Sequence, residues 1–332
     1  MKQVKFITGL MAFGVVSLFA GCGEKENEMT KVTLNEVAHS IFYAPQYVAL
    51  ENGYFTQEGL DLDLVTGYGA DKTMAAVISG EAQIGFMGAE ASVYAYQEGA
   101  TDPVVNFAQL TQRAGNFLVA REDIKDFKWE DLKGKKVLGG RAGGMPQMVF
   151  EYILKKHGID PKTDLTIDQS ISFGLTAAAF TSGDADYTVE FEPFATTLEM
   201  ENCGTVVASL GRDSGYVPYT AYCAKKSYME KNPQLIQKFT NAIQKGLDYV
   251  NSHSAWEIAK TIQPQFKDTP VEKIAAIIDR YKSQDTWKED TIFEKDSFEL
   301  LENILEESGE LKKRVPYEDL VRTDFSINAA KK

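Results

Sequence analysis

Residues 75–83, Ala75-Ala76-Val77-Ile78-Ser79-Gly80-Glu81-Ala82-Gln83, recur in changed form at 178–186 as Ala178-Ala179-Phe180-Thr181-Ser182-Gly183-Asp184-Ala185-Asp186. Each copy closes a helical pattern and stands just before an apolar run, 82–87 in one half and 187–191 in the other. Around the first copy, strand-like stretches at 31–37, 60–65, 82–87 and 104–110 alternate with helical patterns. The first helix opens at Pro45 and stops at Gly53, the second carries Met74, Val77 and Ile78, and the third starts at Gly88 and ends near Gly99. Around the second copy the order repeats, with strands at 137–138, 165–167, 187–191 and 205–210 and helices at 145–156, 175–180 and 193–201. Strands alternating with helices of this length predict mostly parallel sheets covered on both faces. Two such series predict an α/β protein of two similar lobes.

Strand-like stretches at 107–119 and 218–224 can carry the chain out of the first lobe and back, and two crossings make a hinge. The predicted division is 31–112 for the first lobe, 113–224 for the second, and a helical part at 225–332 completing the first. In that last part Asn232-Pro233 opens one helix, and Thr269-Pro270-Val271-Glu272 has the spacing of a capping box before another. The tail after Asp324 is expected to fray.

Ligands of such sheets bind beyond the strand C-termini, and clefts between domains are favoured sites. The loops there are 39–45, 67–71, 88–90, 139–146, 171–175 and 190–193. The turn Gly139-Gly140-Arg141-Ala142-Gly143-Gly144-Met145-Pro146 joins a strand to a helix. Its glycines let the backbone approach a ligand, and Pro146 suits the first turn of the helix that follows. Free N–H groups at a helix start favour anions, as does Arg141, so Arg141, Gly143 and Gly144 are candidate binding residues. A tight turn without a ligand has the same sequence. No Gly-Lys-Ser/Thr follows, so the stretch is not a P-loop.

The other loops are rich in rings: Phe42, Tyr43, Tyr68, Phe173, Phe191 and Tyr219. Each could equally be core. His39 and Glu90 fall in cleft loops, and Glu190 and Glu192 flank Phe191, where alternation puts both on one side of the strand. A carboxylate among rings suits a flat heterocycle with paired N–H donors and repels a sulfonate or nitrate.

Other chemistry is thinly supported. No G-x-S-x-G elbow or H-E-x-x-H motif occurs, and the three histidines and three cysteines form no metal-ligand spacing. Neither a metal nor another cofactor is expected. Cys203 and Cys223 can form one disulfide or remain thiols. The net charge is −13, and beyond Lys312-Lys313-Arg314 no basic cluster exists, which argues against nucleic acid.

Residues 1–21 read as a signal peptide: Lys2 and Lys5 precede an apolar stretch at 6–19, shorter than the ~20 residues of a membrane span. Leu18-Phe19-Ala20-Gly21-Cys22 resembles a bacterial lipobox, apart from Phe19 where a small aliphatic is usual. Lipidation of Cys22 would anchor the chain outside the cell membrane, with 22–30 as tether; an ordinary signal peptide or uncleaved anchor is the alternative.

Four stretches carry a wider resemblance: HSIFYAPQYVALENGYFTQEGLDLDLV (39–65), ISGEAQIGFMG (78–88), GGRAGGMP (139–146) and EFEPFATTLE (190–199). They resemble ABC-importer substrate-binding proteins of the group that takes sulfonates, taurine, nitrate or pyrimidine precursors of thiamine. That group also includes the eukaryotic thiamine pyrimidine synthases. The resemblance implies a two-lobed periplasmic-binding-protein-like fold of type II, closing on a small molecule. It also implies a monomer that delivers this ligand to a permease and its ATPase. In pyrimidine binders aromatics and carboxylates hold the ligand, roles that fall to Tyr43, Tyr68 and Glu190. The favoured ligand is an aromatic nitrogen heterocycle such as a thiamine-precursor pyrimidine, with a sulfonate, taurine or nitrate as the alternative. The synthases carry a catalytic His and a Cys-rich stretch; His39 is present here, but no Cys cluster is, so a non-enzymatic role is expected. A sensory module on the same fold is a third reading.

Overall fold

A computed structural model describes residues 29–140, 142–171 and 174–331. Among them, the first sheet holds β1 (Thr30–Glu36), β2 (Leu60–Thr66), β3 (Ile84–Met87) and β4 (Val104–Thr111). The second holds β5 (Asn116–Ala120), β6 (Lys136–Leu138), β7 (Thr166–Asp168), β8 (Tyr187–Phe191) and β9 (Thr205–Ser209). The last strand, β10 (Thr220–Lys225), returns to the first sheet.

The strand orders, β2-β1-β3-β10-β4 and β7-β6-β8-β5-β9, are equivalent. In each, one strand is central to a parallel trio: β1 pairs with β2 and β3, and β6 with β7 and β8. In each, the fourth position is an antiparallel strand that has just crossed from the other sheet, β10 in the first and β5 in the second. The protein is thus a two-lobed α/β molecule in which each sheet contains one strand delivered by a crossing. The repeated segments at 75–83 and 178–186 occupy matching places, running from the helices Ala70–Ser79 and Thr176–Ser182 into β3 and β8.

The crossings lie side by side. Thr111 and Thr220 hydroxyls are 2.6 Å apart, the Thr220 N–H donates to the Thr111 hydroxyl, and the Tyr219 hydroxyl donates to Asn116 Oδ1 at 2.7 Å. The stretch expected as one strand at 107–119 is broken between β4 and β5. A Cβ on Gly115 would lie 2.7 Å from the Phe42 ring, so a bend this close to the core needs glycine there. The return stretch ending at 224 is β10, so the expected boundary at 224 falls inside a strand of the first sheet.

The C-terminal helices clamp both lobes. Helix Pro233–Ser252 lies on helix Ala44–Glu51, with Gly246 against the Pro45 carbonyl. A Cβ there would sit 2.2 Å from that oxygen. Helix propensity favours alanine over glycine by ~1 kcal/mol, but the backbone clash outweighs it. Gly246→Ala is therefore expected to lower stability by ~2 kcal/mol in urea unfolding; an unchanged midpoint would show that the two helices separate cheaply.

Helix Val271–Ser283 reaches the second lobe, where Arg280 pairs with Glu192 at 2.7 Å and with Glu199. Its start departs from the expected capping box. Pro270 is the cap, and the Thr269 N–H that Glu272 would have taken donates to the Phe266 carbonyl. The box forms instead at Ser254 and Glu257. The tail does not fray: Asp324–Ala330 is a helix, Phe325 is buried, and the Ser326 hydroxyl donates to the Phe107 carbonyl at 2.8 Å. Cys203 and Cys223 are free thiols, the second buried beside β3.

Candidate ligand-binding cleft

A cavity of about 500 Å³ opens where the loops after β1, β2 and β3 face the turn before helix Met145–Lys156. Each loop is shaped locally. After β1, Ser40 caps a short helical turn by accepting the Phe42 N–H, which sets Tyr43 in the wall with its ring edge-on to Phe86 at 4.5 Å. Phe42 turns inward, packing on Tyr43, Phe191, Tyr219 and Tyr281 as the cavity's backing. After β2, a Cβ on Gly67 would meet Asn35 and Thr73 side-chain oxygens at 2.6 Å. Tyr68 takes φ 54°, unusual for a non-glycine, and its ring stands 72% exposed at the mouth.

After β3, Glu90 begins helix Glu90–Gln97 and is 5% exposed. Its carboxylate lies over Gly88, where a Cβ would come within 2.0 Å of it. One oxygen, Oε2, is buried and has no hydrogen-bond partner among the described residues. Burial pushes the Glu90 carboxyl up to about 7, against the smaller opposing effect of its own backbone N–H. Among the described wall residues the charged ones are Asp71, Glu90 and Glu98, and none is basic.

The second lobe contributes Gly143, Gly144, Met145 and Pro146, and Phe191 from β8. Gly143 has φ 74°, and its N–H donates to Gln147 Oε1 at 2.6 Å, so this amide has an internal acceptor. Tyr219 and Thr220 close the wall at the hinge.

The remaining candidates sit elsewhere. His39 lies outside the wall, with Nδ1 2.8 Å from Glu36 Oε1 and Nε2 donating to the Gln265 carbonyl at 3.0 Å. Burial opposes its charge, but Glu36 and that carbonyl outweigh it and raise the imidazole pKa. Phe191 lines the cavity, and its neighbours Glu190 and Glu192 do not. Glu190 accepts from the Thr188 and Thr176 hydroxyls, at 2.6 and 2.9 Å. Glu192 is held by Arg280 and by the Thr196 N–H and hydroxyl. Arg141, Phe173 and Cys22 lie outside the described residues. The wall also contains one face of each of the helices 70–79 and 90–97, of which only Glu90 is a residue expected in the site. The signal was there, in alanines spaced along both: Ala70 and Ala75, Ala91 and Ala95.

The family model described as NMT1/THI5 like matches residues 41–255. This chain belongs to the NMT1/THI5-like family. The Bacillus subtilis protein named "Putative binding protein YtlA" is 48% identical over 307 residues, which is 92% of each chain. The 4-amino-5-hydroxymethyl-2-methylpyrimidine phosphate synthase of Aspergillus parasiticus is 24% identical over 64% of each chain. Among solved structures, the nitrate-binding protein NrtA from Synechocystis superposes with a TM-score of 0.74 at 16% identity, covering 92% of this chain and 89% of its own. The alkanesulfonate-binding protein SsuA from Xanthomonas axonopodis, bound to MOPS, gives 0.71 at 15%, covering 89% and 99%. These likenesses establish the periplasmic-binding-protein fold.

In this NMT1/THI5-like chain the buried acids predict a pH signature. Burial raises Glu90 and Glu190 from 4.5 to about 7. Between those values the folded chain holds protons that the unfolded chain has released, so stability falls as pH rises from about 4.5 through 7. Glu90→Gln removes one such group. Its melting temperature is expected to gain a few degrees on the parent between pH 5 and pH 8. A gap that stays constant with pH would refute the raised Glu90 pKa.

Proposed function

We propose that this protein is the extracytoplasmic, lipid-anchored substrate-binding component of an ABC importer. It captures, as a monomer, an aromatic nitrogen heterocycle such as a thiamine-precursor pyrimidine and delivers it to a membrane permease and its ATPase. The two-lobed fold with paired crossings supports a hinge that closes on ligand. The likeness to proteins named for binding supports capture rather than turnover.

One observation carries the ligand class: Glu90 stands in the cavity wall among Tyr43, Tyr94 and Tyr219, with a buried carboxylate oxygen that has no hydrogen-bond partner among the described residues. A buried acceptor without a donor is costly, and a ligand with paired N–H groups removes that cost. Tyrosine faces suit the ring that carries them. A second reading, for a sulfonate, taurine or nitrate, has its own observation, since Gly144 and Met145 bring a helix N-terminus to the wall.

Thermal melting of the detergent-solubilised full-length protein separates the two. Benzamidine and aminopyrimidines form one panel; sulfonates, taurine and nitrate form the other. A ligand at 100 times its Kd adds ~2.7 kcal/mol, a shift of several degrees. Stabilisation by the first panel is the expected result. Stabilisation by the second alone would overturn the heterocycle assignment.

A further inference from the structure

Two helix faces run out of the cavity with the same spacing. Ala70, Met74 and Ile78 stand at i, i+4 and i+8 on helix Ala70–Ser79. Glu90, Tyr94 and Glu98 stand at the same intervals along helix Glu90–Gln97, Glu98 being its C-cap. Residues four apart share a face, so each row is a stripe. Eight residues at 1.5 Å per residue give each stripe a length of about 12 Å. Both stripes start at the cleft end of the first lobe, beyond β2 and β3, and lead away from it. Ala75, Ala91 and Ala95 also line the cavity, and Met74 and Ala91 pack in one apolar cluster with Ala70 and Ala95 against it, so the two helices give the cavity an apolar floor. Ile78, near the outer end, is 50% exposed although it lines the same cavity. The inner end is polar and dry, with the unpartnered Glu90 oxygen. The middle is apolar, with Met74 and the Tyr94 ring, and the outer end at Glu98 is exposed to water.

A single heterocycle at Glu90 leaves the outer turns of both helices uncovered. We infer that the ligand has two parts: a flat N–H-donating head at Glu90, and an apolar tail several carbons long that lies between the helices 70–79 and 90–97. This rests on the heterocycle reading above and adds a second specificity element to it. Tyr94 and Ala95 set the groove's width, and Ile78 covers the tail's outer half.

The test is isothermal titration of the detergent-solubilised full-length protein with benzamidine and its 4-alkyl derivatives, methyl to butyl. The amidinium supplies the head, and the para position sends the chain away from it. Each buried methylene is expected to tighten binding about fourfold, from ~0.8 kcal/mol per CH₂. Ala95→Trp fills the groove, and Ile78→Asp places a charge along it at a half-exposed position. In either variant the gain per methylene is expected to fall to near zero, and Ile78→Asp serves if Ala95→Trp does not fold. Benzamidine that binds with an affinity flat or falling in chain length would overturn the tail and leave the heterocycle reading standing. A gain that persists in both variants would also overturn it. Failure of every amidine to bind would overturn both readings together.

Discussion

Glu90→Gln is expected to weaken benzamidine or aminopyrimidine binding by roughly 10- to 150-fold, the equivalent of ~1.5–3 kcal/mol for a hydrogen bond to a charged group. Glutamine keeps the side chain's shape and one oxygen but has no second acceptor oxygen for a paired donor, and its own NH₂ opposes the second N–H. Loss of binding in this variant would not reflect loss of fold. Removing a buried ionisable group stabilises the chain at pH 8, so the variant should bind poorly while melting higher than the parent. The parent's affinity for benzamidine, cationic throughout, should rise with pH as Glu90 ionises near 7. From pH 5.5 to 8.5 the expected gain is about 30-fold, with proton release measurable by calorimetry in buffers of differing ionisation enthalpy. Affinity unchanged in Glu90→Gln would remove Glu90 from the site.

Glu192→Ala is expected to cost ~3 kcal/mol of stability, or roughly 6 °C in melting temperature. Glu192 is 1% exposed, and burial raises its pKa despite the adjacent Arg280. The carboxylate accepts from Arg280 and from the Thr196 N–H and hydroxyl, joining β8 and helix Phe194–Met200 to the C-terminal helix 271–283. Alanine leaves Arg280 with Glu199 as its remaining carboxylate partner and orphans the amide at the start of helix Phe194–Met200. A melting temperature within a degree of the parent would show that this clamp carries no stability.

The alternation of strands and helices made the two lobes legible, and the repeat at 75–83 and 178–186 marked their equivalence. What the pattern could not show is which sheet a crossing strand joins. Both 107–119 and 218–224 read as extended, and only pairing partners assign β5 and β10. The cleft loops were found by topology, which brought Tyr43, Tyr68, Glu90 and the Gly143-Gly144 turn to one wall. Alternation was expected to put Glu190 and Glu192 on one side, but β8 ends at Phe191, and the cavity takes Phe191 and neither carboxylate. Period-two reasoning gives relative sides, not the occupant of each. His39 has the composition of a ligand residue and the environment of a lobe-stabilising one, because the Gln265 carbonyl that it meets beside Glu36 comes from an element remote in sequence.

The exchange of one strand between the sheets has a consequence for how the chain is made. β3 and β4 are not neighbours; β10 lies between them. Thr111 waits for Thr220, 109 residues later, to supply its partner. A growing chain that stops before β10 exposes two unpaired apolar edges, the arrangement most prone to aggregation. The first half cannot therefore finish folding ahead of the second, and nascent chains shorter than residue 225 should depend on a holdase. On the export proposed above, that delay keeps the chain threadable until nearly all of both sheets has been synthesised.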